Sequence, residues 1–207
     1  MLQSTYRSPP AAAAGQTLRQ NWLSFERPEV KLVSLPPEQL LAQIDRVVAV
    51  YRAAFCTAPY HKDEEEVADF ATSLPAHTSG PDFRFLAAYD GEPEQMIAFA
   101  YGRATLPGQP WHDLVRAQLL AAGLEAWLAD SYQLAQMAVH PAYHRQGIGG
   151  RLHDALLADA PPRRALLTTM AAETPAYYFY RRRGWQVLVG RFAVPGLARP
   201  YQIMGRT

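Results

Sequence analysis

The most constraining feature of the sequence is a nearly continuous apolar run that leads into a glycine-rich loop and then into a helical pattern. The run is YQLAQMAV at residues 132–139, and the glycines follow at positions 147, 149 and 150. A strand with so little polar alternation is typical of a central strand that is covered on both faces. A turn needs only one glycine, so three of them within four positions indicate that something approaches the backbone where the helix begins.

The order of strand, glycine loop and helix predicts an anion site. A helix N-terminus exposes unpaired N–H groups and a partial positive charge, and glycines remove the Cβ atoms that would keep a phosphate away. Two known phosphate loops do not fit. The segment lacks the Lys-Ser/Thr ending of a P-loop, and Leu152 stands where a GxGxxG loop needs its third glycine. From this segment alone, a tight connection without any ligand explains the glycines equally well.

The rest of the chain predicts an α/β (α+β) fold, a mixed sheet flanked by helices. Helical periodicity and helix-start signals occur at 36–55, at 63–74, after the glycine loop and at 174–185. The predicted strands are 29–35, 83–90, 95–105, 132–139, 164–171, 186–190 and 199–206. We interpret residues 1–28 as an N-terminal appendage that is partly flexible, and residues 29–207 as a single domain.

Composition excludes several function classes. Lys and Arg number 20 and Asp and Glu 19, so the net charge of +1 gives no electrostatic footprint for nucleic acid or an acidic membrane. The single cysteine, Cys56, excludes an internal disulfide and a cysteine-based metal site, and we expect it to be a small buried apolar residue. No secretory signal and no apolar run of about 18 residues is present, so we expect a cytoplasmic protein.

Two motifs resemble those of a known family. MAVHPAYHRQGIGGRL (137–152) is similar to the central motif of the GNAT superfamily, the acetyl-CoA-dependent N-acyltransferases, in its bacterial form. Gly147 and Gly149 match the family's Gln/Arg-x-x-Gly-x-Gly/Ala pattern, whereas His144 stands at its Gln/Arg position. ETPAYYFYRRRGW (173–185) resembles the family's Asn-x-x-Ala-x-x-x-Tyr-x-x-x-Gly-Phe, with Glu173 in place of Asn. The resemblance covers roughly residues 30–207.

The resemblance implies a GNAT-like fold with a mixed, mostly antiparallel central sheet. It implies acetyl-CoA as cosubstrate, no metal, and direct transfer of the acetyl group to a primary amine of a small molecule or protein in a ternary complex. A non-catalytic acyl-CoA-binding or sensing module on the same fold is the alternative, and an unrelated phosphate-loop protein is a third reading. Homodimers are common in the family, and the sequence leaves that state open.

The resemblance also implies a set of site residues. The pyrophosphate would bind N–H groups of the loop, and the pantetheine arm would pair with the strand backbone as an extra strand does. The implied cofactor-binding residues are Met137, Ala138, Val139, Arg145, Gln146, Gly147, Ile148, Gly149, Gly150, Thr174 and Ala176. One Arg of the run 181–183 is a further candidate, for the 3′-phosphate.

Tyr180 stands where the family often places the general acid for the departing thiolate. Glu173 is the assigned base, with Asp130, Tyr132, Gln136, His140 and a water chain as alternatives. We expect His144 and His153 to be exposed. The acidic run at 63–66 is expected to be a solvated helix start, and a docking patch for a cationic substrate is its alternative.

Overall fold

The computed structural model describes residues 30–91, 95–158, 164–197 and 199–207. The predicted appendage at 1–28 lies outside these ranges. The described elements are β1 (Lys31–Ser34), α1 (Pro37–Leu41), α2 (Ile44–Phe55), α3 (Glu64–Thr78), β2 (Arg84–Asp90), β3 (Gln95–Ala104), α4 (Pro110–Ala121), β4 (Ser131–Val139), α5 (Ile148–Ala158), β5 (Arg164–Met170), α6 (Pro175–Arg181), β6 (Gln186–Ala193) and β7 (Pro200–Arg206). Short 3₁₀ turns at Glu125–Leu128 and Pro141–Tyr143 flank β4.

All seven strands form one sheet in the order β1-β2-β3-β4-β5-β7-β6. Every neighbouring pair is antiparallel except β4 and β5, which run parallel. The predicted fold class, a mixed and mostly antiparallel sheet with flanking helices, is confirmed. β4 is the central strand of the seven, as its apolar run predicts.

Helices cover both faces of the sheet. On one face, α2 and α3 contribute Val47, Tyr51 and Phe70 to a core that includes Phe85 and Phe99 of the sheet. On the other face, α5 and α6 contribute a second core with residues Ile148, Leu152, Leu156, Tyr180 and the adjoining Trp185. The helix that follows the glycine loop and the helix that carries Tyr180 therefore pack on the same side of β4.

Three helix boundaries differ from the expectation, and one of them is the end of α6, which lies at Arg181 rather than at 185. The predicted helix 36–55 is divided, because Gln43 leaves helical geometry (φ −119°, ψ 19°) and α2 starts again at Ile44. The Tyr89 hydroxyl donates to Gln43 Oε1 (2.8 Å), which holds this break against β2. α3 continues beyond the predicted end at residue 74, with Pro75 inside the helix.

The acidic run begins α3 as a capping box. The Asp63 carboxylate accepts from the Glu66 N–H (2.9 Å), and the Glu66 carboxylate accepts from the Asp63 N–H (3.4 Å). Glu64 forms an ion pair with Arg52, with 2.9 Å between Glu64 Oε1 and Arg52 Nε. The run therefore serves the helix start, as expected. Across the described ranges, no helix has the length and apolar character needed to cross a membrane.

Candidate active site

β4 and β5 pair only at their beginnings. Three residue pairs join them, from Ser131/Arg164 to Gln133/Leu166, although both strands continue for several residues. A bulge helps to separate them, because Ala135 of β4 has no partner in the register with β3. A bulge bends its strand and increases the local twist. The two strands thus diverge and leave a cleft of about 160 Å³.

Five parts of the chain line this cleft. They are the α2–α3 segment, β4, β5, α6 and the start of β7. The lining residues are Phe55, Tyr60, Lys62, 134–137, 167–170, Ala176, Tyr180, Arg199 and Tyr201. No Asp, Glu or His belongs to this lining in the described part of the chain. The lining instead offers phenol and alcohol hydroxyls and two cations.

The open edge of β4 presents backbone groups to the cleft. The His140 N–H donates to the Ile97 carbonyl on β3 (2.8 Å). Backbone groups of successive strand residues point to opposite edges, so those of Val139 and Met137 face away from β3 and toward β5. The Val139 carbonyl accordingly accepts from His144 Nε2 (2.9 Å). His144 is exposed, as expected, and its ring ties the loop to the end of the strand.

The glycine loop turns the chain into α5 and leaves its N–H groups free. Arg145 (φ 60°) and Gly147 (φ 80°) adopt left-handed conformations, and glycine does so at the lowest cost. The Arg151 N–H bonds back to the Gly147 carbonyl (3.0 Å). The first-turn N–H groups before Arg151 have no intrahelical acceptor, as at every helix start. The loop therefore has the donors that the sequence predicted.

A guanidinium lies across the first turn of α5. A Cβ added at Gly150 would come within 2.3 Å of Arg183 Nη2, so the glycine makes room for this side chain. The Arg183 guanidinium lies 4.0 Å from the centre of the Phe179 ring, and its Nε is 3.6 Å from Asp154. Of the run 181–183, Arg183 is the residue that the structure brings to the glycine loop.

Tyr180 is buried on α6 and lines the cleft. Its ring packs near Phe179 (5.2 Å between centroids) and Trp185 (5.6 Å). Burial, together with the neighbouring Tyr60, raises the pKa of the Tyr180 phenol well above its ordinary value. The hydroxyl is therefore protonated throughout the neutral range and can serve as a donor but not as a base.

The expectation that His153 is exposed is wrong. His153 is fully buried, and its Nε2 accepts from Trp185 Nε1 (2.9 Å) while its Nδ1 lies 2.7 Å from Asp154. Burial lowers its pKa, although Asp154 opposes that effect. Because Nε2 accepts from Trp185 it carries no proton, so the ring is neutral and its Nδ1 donates to Asp154. The His153 ring packs against the Tyr180 ring, with 6.4 Å between the two centroids.

The base candidates are dispersed. Glu173 is exposed, accepts a hydrogen bond from the Tyr178 hydroxyl and does not line the cleft. Asp130 and Tyr132 lie at the beginning of β4, where that strand still pairs with β5, at the opposite end from the opening. Gln136 lines the cleft, but an amide is not a proton acceptor at neutral pH. His140 lies in the loop, where its Nδ1 accepts from the Ala142 N–H (3.3 Å).

The structure adds residues that sequence reasoning missed. Tyr60 and Tyr201 line the cleft beside Tyr180. The Tyr60 hydroxyl is hydrogen-bonded to Thr174, and burial raises the pKa of this phenol. Thr174 is itself buried and caps α6 by accepting from the Tyr177 N–H (3.1 Å). A sequence signal for Tyr60 is its place in TAPY (57–60), a segment that directly follows the helical pattern of residues 36–55 and ends it.

The predicted cofactor-binding residues therefore lie on elements that meet at one end of the sheet. Met137 and Ala176 share the cleft with Tyr180. A Cβ at Gly149 would lie 3.6 Å from Val139 and 3.8 Å from Phe179, so the loop, β4 and α6 are in contact. No group of three or more His, Cys, Asp or Glu side chains suited to a metal ion occurs among the residues described.

Residues 81–187 match the model of the acetyltransferase (GNAT) domain. The chain belongs to the GNAT acetyltransferase family. This range runs from the segment before β2 to the start of β6 and includes both motifs, so the resemblance inferred from the sequence is confirmed.

Known proteins agree with this assignment. The chain is 31% identical over 120 residues to the GCN5-like protein acetyltransferase Rv2170 of Mycobacterium tuberculosis, and the match covers 54% of this chain and 58% of that relative. The fold resembles the PaiA N-acetyltransferase of Thermoplasma acidophilum, solved with coenzyme A (TM-score 0.56, 14% identity, 86% of this chain and 99% of that one). It also resembles the ribosomal-protein-S18-alanine N-acetyltransferase of Escherichia coli (0.53, 17%, 86% and 92%). At these identities the two structures support the fold alone.

Proposed function

We propose that this GNAT protein transfers an acetyl group from acetyl-CoA to a primary amine of a small molecule or protein, by direct attack in a ternary complex. The observation that carries the proposal is the cleft between the diverging strands β4 and β5. It has backbone groups of β4 that face away from β3 along one wall, N–H groups without an intrahelical acceptor at the glycine loop and the Tyr180 residue at its side.

Acetyl-CoA binds, in this proposal, along the open edge of β4. The pyrophosphate takes the N–H groups of residues 145–150, where the helix dipole also favours an anion. The amides of the pantetheine arm pair with the backbone of Met137 and Val139, as an added strand would. The N–H nearest the thioester then donates to the oxygen that becomes negative during attack. Thr174 and Ala176 form the facing wall on α6, and Arg183 takes a phosphate oxygen.

The chemistry requires two proton transfers. The amine nitrogen attacks the thioester carbon as its free base, the C–S bond breaks and an amide forms. Deprotonating an amine of pKa about 10.4 costs about 4–5 kcal/mol at pH 7. Glu173 faces solvent and already binds Tyr178, so we assign this proton to water held by the cleft hydroxyls rather than to Glu173. Tyr180 donates to the departing sulfur, because its raised pKa keeps the phenol protonated.

Thiol release with a panel of amines tests the proposal. We expect release of CoA that depends on both acetyl-CoA and an amine, and a raised melting temperature with acetyl-CoA but not with ATP or NAD. Stabilisation by acetyl-CoA without amine-dependent release would instead support the sensing module. A shift with ATP or NAD alone would support an unrelated phosphate-loop protein. The proposal includes a cytoplasmic location and no nucleic-acid or membrane partner, and it is compatible with a homodimer.

A further inference from the structure

The charged side chains that line the cleft bear on which amine acceptors can bind there. Its described lining contains two cations, Lys62 and Arg199, and no carboxylate. Both cations come from the segments that face α6 and β4, namely the α2–α3 segment and the start of β7. A polycationic acceptor would meet like charges in this cleft and no carboxylate among the described lining residues, which disfavours its binding.

Three acidic residues that follow Lys62 in the sequence already have partners. Asp63 and Glu66 form the capping box of α3, and Glu64 is bound to Arg52 (2.9 Å). Glu66 also lies 3.3 Å from Lys62 Nζ. Asp63, Glu64 and Glu66 are therefore engaged in the helix start and in ion pairs, and none of them lines the cleft.

Arg199 has more N–H donors than its described hydrogen bond uses. Its Nη2 donates to the His61 carbonyl (3.3 Å), which ties the guanidinium to the α2–α3 segment. A guanidinium carries five N–H donors in a fixed fork that matches a carboxylate. Among the described residues, no Asp or Glu pairs with Arg199. This hydrogen bond directs the side chain to the cleft, and its other donors have no acceptor among the described residues.

Lys62 supplies a second, partly offset charge. Its Nζ lies 2.8 Å from the Tyr51 hydroxyl, its side chain is only 20% exposed, and Glu66 neutralises part of its field. Burial lowers the pKa of Lys62, but Tyr51, Tyr201 and Glu66 together outweigh burial, so the pKa is raised. Lys62 therefore stays charged at neutral pH and adds to the positive potential around Arg199.

We infer that the acceptor amine carries a carboxylate close to the reacting nitrogen, and that Arg199 binds this carboxylate with support from Lys62. This inference rests on the proposed acetyl transfer and specifies its substrate class. Two sources offer the same chemistry: a free amino carboxylic acid, or a peptide amine next to an acidic residue. A bidentate bond between a guanidinium and a carboxylate also fixes orientation, so the carboxylate positions the amine for attack.

Matched pairs of amines test the inference. Glycine, β-alanine, γ-aminobutyrate and lysine are each compared with the corresponding carboxamide, with acetyl-CoA saturating and CoA release as the readout. We expect kcat/KM to be about 10- to 100-fold higher for at least one carboxylate than for its amide, as for a hydrogen bond between charged groups. A second arm compares lysine peptides that carry Glu or Gln beside the reacting lysine. Preference in the first arm alone indicates a free amino acid, and preference in the second alone indicates a peptide.

Variants assign the preference to Arg199. Arg199→Gln should lower kcat/KM for the preferred carboxylate to the level of its amide and leave the amide unchanged. Arg191→Gln, at an exposed position on β6 away from the cleft lining, should change neither. The melting temperature with and without acetyl-CoA checks that each variant is folded.

Three results would overturn the inference. Equal use of both members of every pair, best use of polyamines or aminoglycosides, or an unchanged preference in Arg199→Gln would each contradict it while leaving acetyl transfer intact. Absence of transfer to any amine would overturn the proposed function itself, and the inference with it.

Discussion

Replacing Tyr180 with Phe removes one hydroxyl and leaves the packing of the ring in place. The ring contacts of Tyr180 with Phe179, Trp185 and His153, at 5.2 to 6.4 Å between centroids, do not involve the oxygen. The hydroxyl, by contrast, belongs to a residue that lines the cleft. We therefore expect little change in the melting temperature of Tyr180→Phe and a large change in its rate.

The size of the rate effect follows from the charge that develops on sulfur. A hydrogen bond to a charged group contributes about 1.5–3 kcal/mol, and about 1.4 kcal/mol corresponds to a tenfold change in rate. This gives a loss of about 10- to 150-fold in kcat, which overlaps the lower part of the usual range for general acid catalysis. KM for acetyl-CoA should change little, because the intact thioester carries no charge for the phenol to stabilise.

The assay is steady-state release of CoA thiol with both substrates saturating. Tyr178→Phe is the matched control, since Tyr178 lies on the same helix but is exposed and does not line the cleft. We expect the control to keep the full rate. An unchanged kcat in Tyr180→Phe, with the variant folded, would refute the assignment of Tyr180 as the acid. An equal loss in Tyr178→Phe would show that the effect comes from the helix rather than from the cleft hydroxyl.

Three further predictions concern the loop, the pH dependence of stability and the cysteine. Gly147→Ala places a Cβ at φ 80° in the glycine loop, so we expect a loss of about 1 kcal/mol in unfolding free energy and weaker acetyl-CoA binding by calorimetry. The control is Gly108→Ala, at φ 86° in the loop before α4, which should lose similar stability and keep full affinity. Burial lowers the pKa of His77 to about 4 from 6.5, so its contribution to folding stability should be complete above pH 6.5 and be lost between pH 6.5 and 4. The loss should be roughly 2 kcal/mol once the partial exposure of the ring is allowed for. In urea titrations His77→Gln should remove this decline, and an unchanged pH profile would contradict it. Cys56 packs half-buried against the α2–α3 core and burial raises the pKa of its thiol, so Cys56→Ala should retain full activity. Loss of activity in a variant that keeps its melting temperature would contradict this prediction.

Local chemistry explains what the sequence alone could predict. The apolar run of β4, the glycines at 147 and 149 and the Thr174 cap with Pro175 each act over a few neighbouring residues. Such signals fix strands, loops and helix ends without reference to the rest of the chain. The sequence therefore predicts the strand, the loop and the helix that carries Tyr180, and their order carries the resemblance to the GNAT family.

Features that depend on contacts between residues far apart in the chain could not be predicted from the sequence. The divergence of β4 from β5 results from pairing choices between separate strands and from the bulge at Ala135, for which no residue type is diagnostic. The sequence around His153 does not predict its burial, because the hydrogen-bond partner of its ring, Trp185, lies 32 residues further along the chain. Arg199 and Lys62 meet at the cleft only in the folded protein. The acceptor side of the site was accordingly the part that sequence reasoning missed.

The most direct test of the central claim is an initial-rate study of CoA release in which acetyl-CoA and an amine are both varied. Direct attack in a ternary complex predicts no sustained release without the amine, and double-reciprocal plots that intersect. Parallel plots, or release that does not depend on the amine, would contradict direct transfer from acetyl-CoA to an amine in the cleft between β4 and β5.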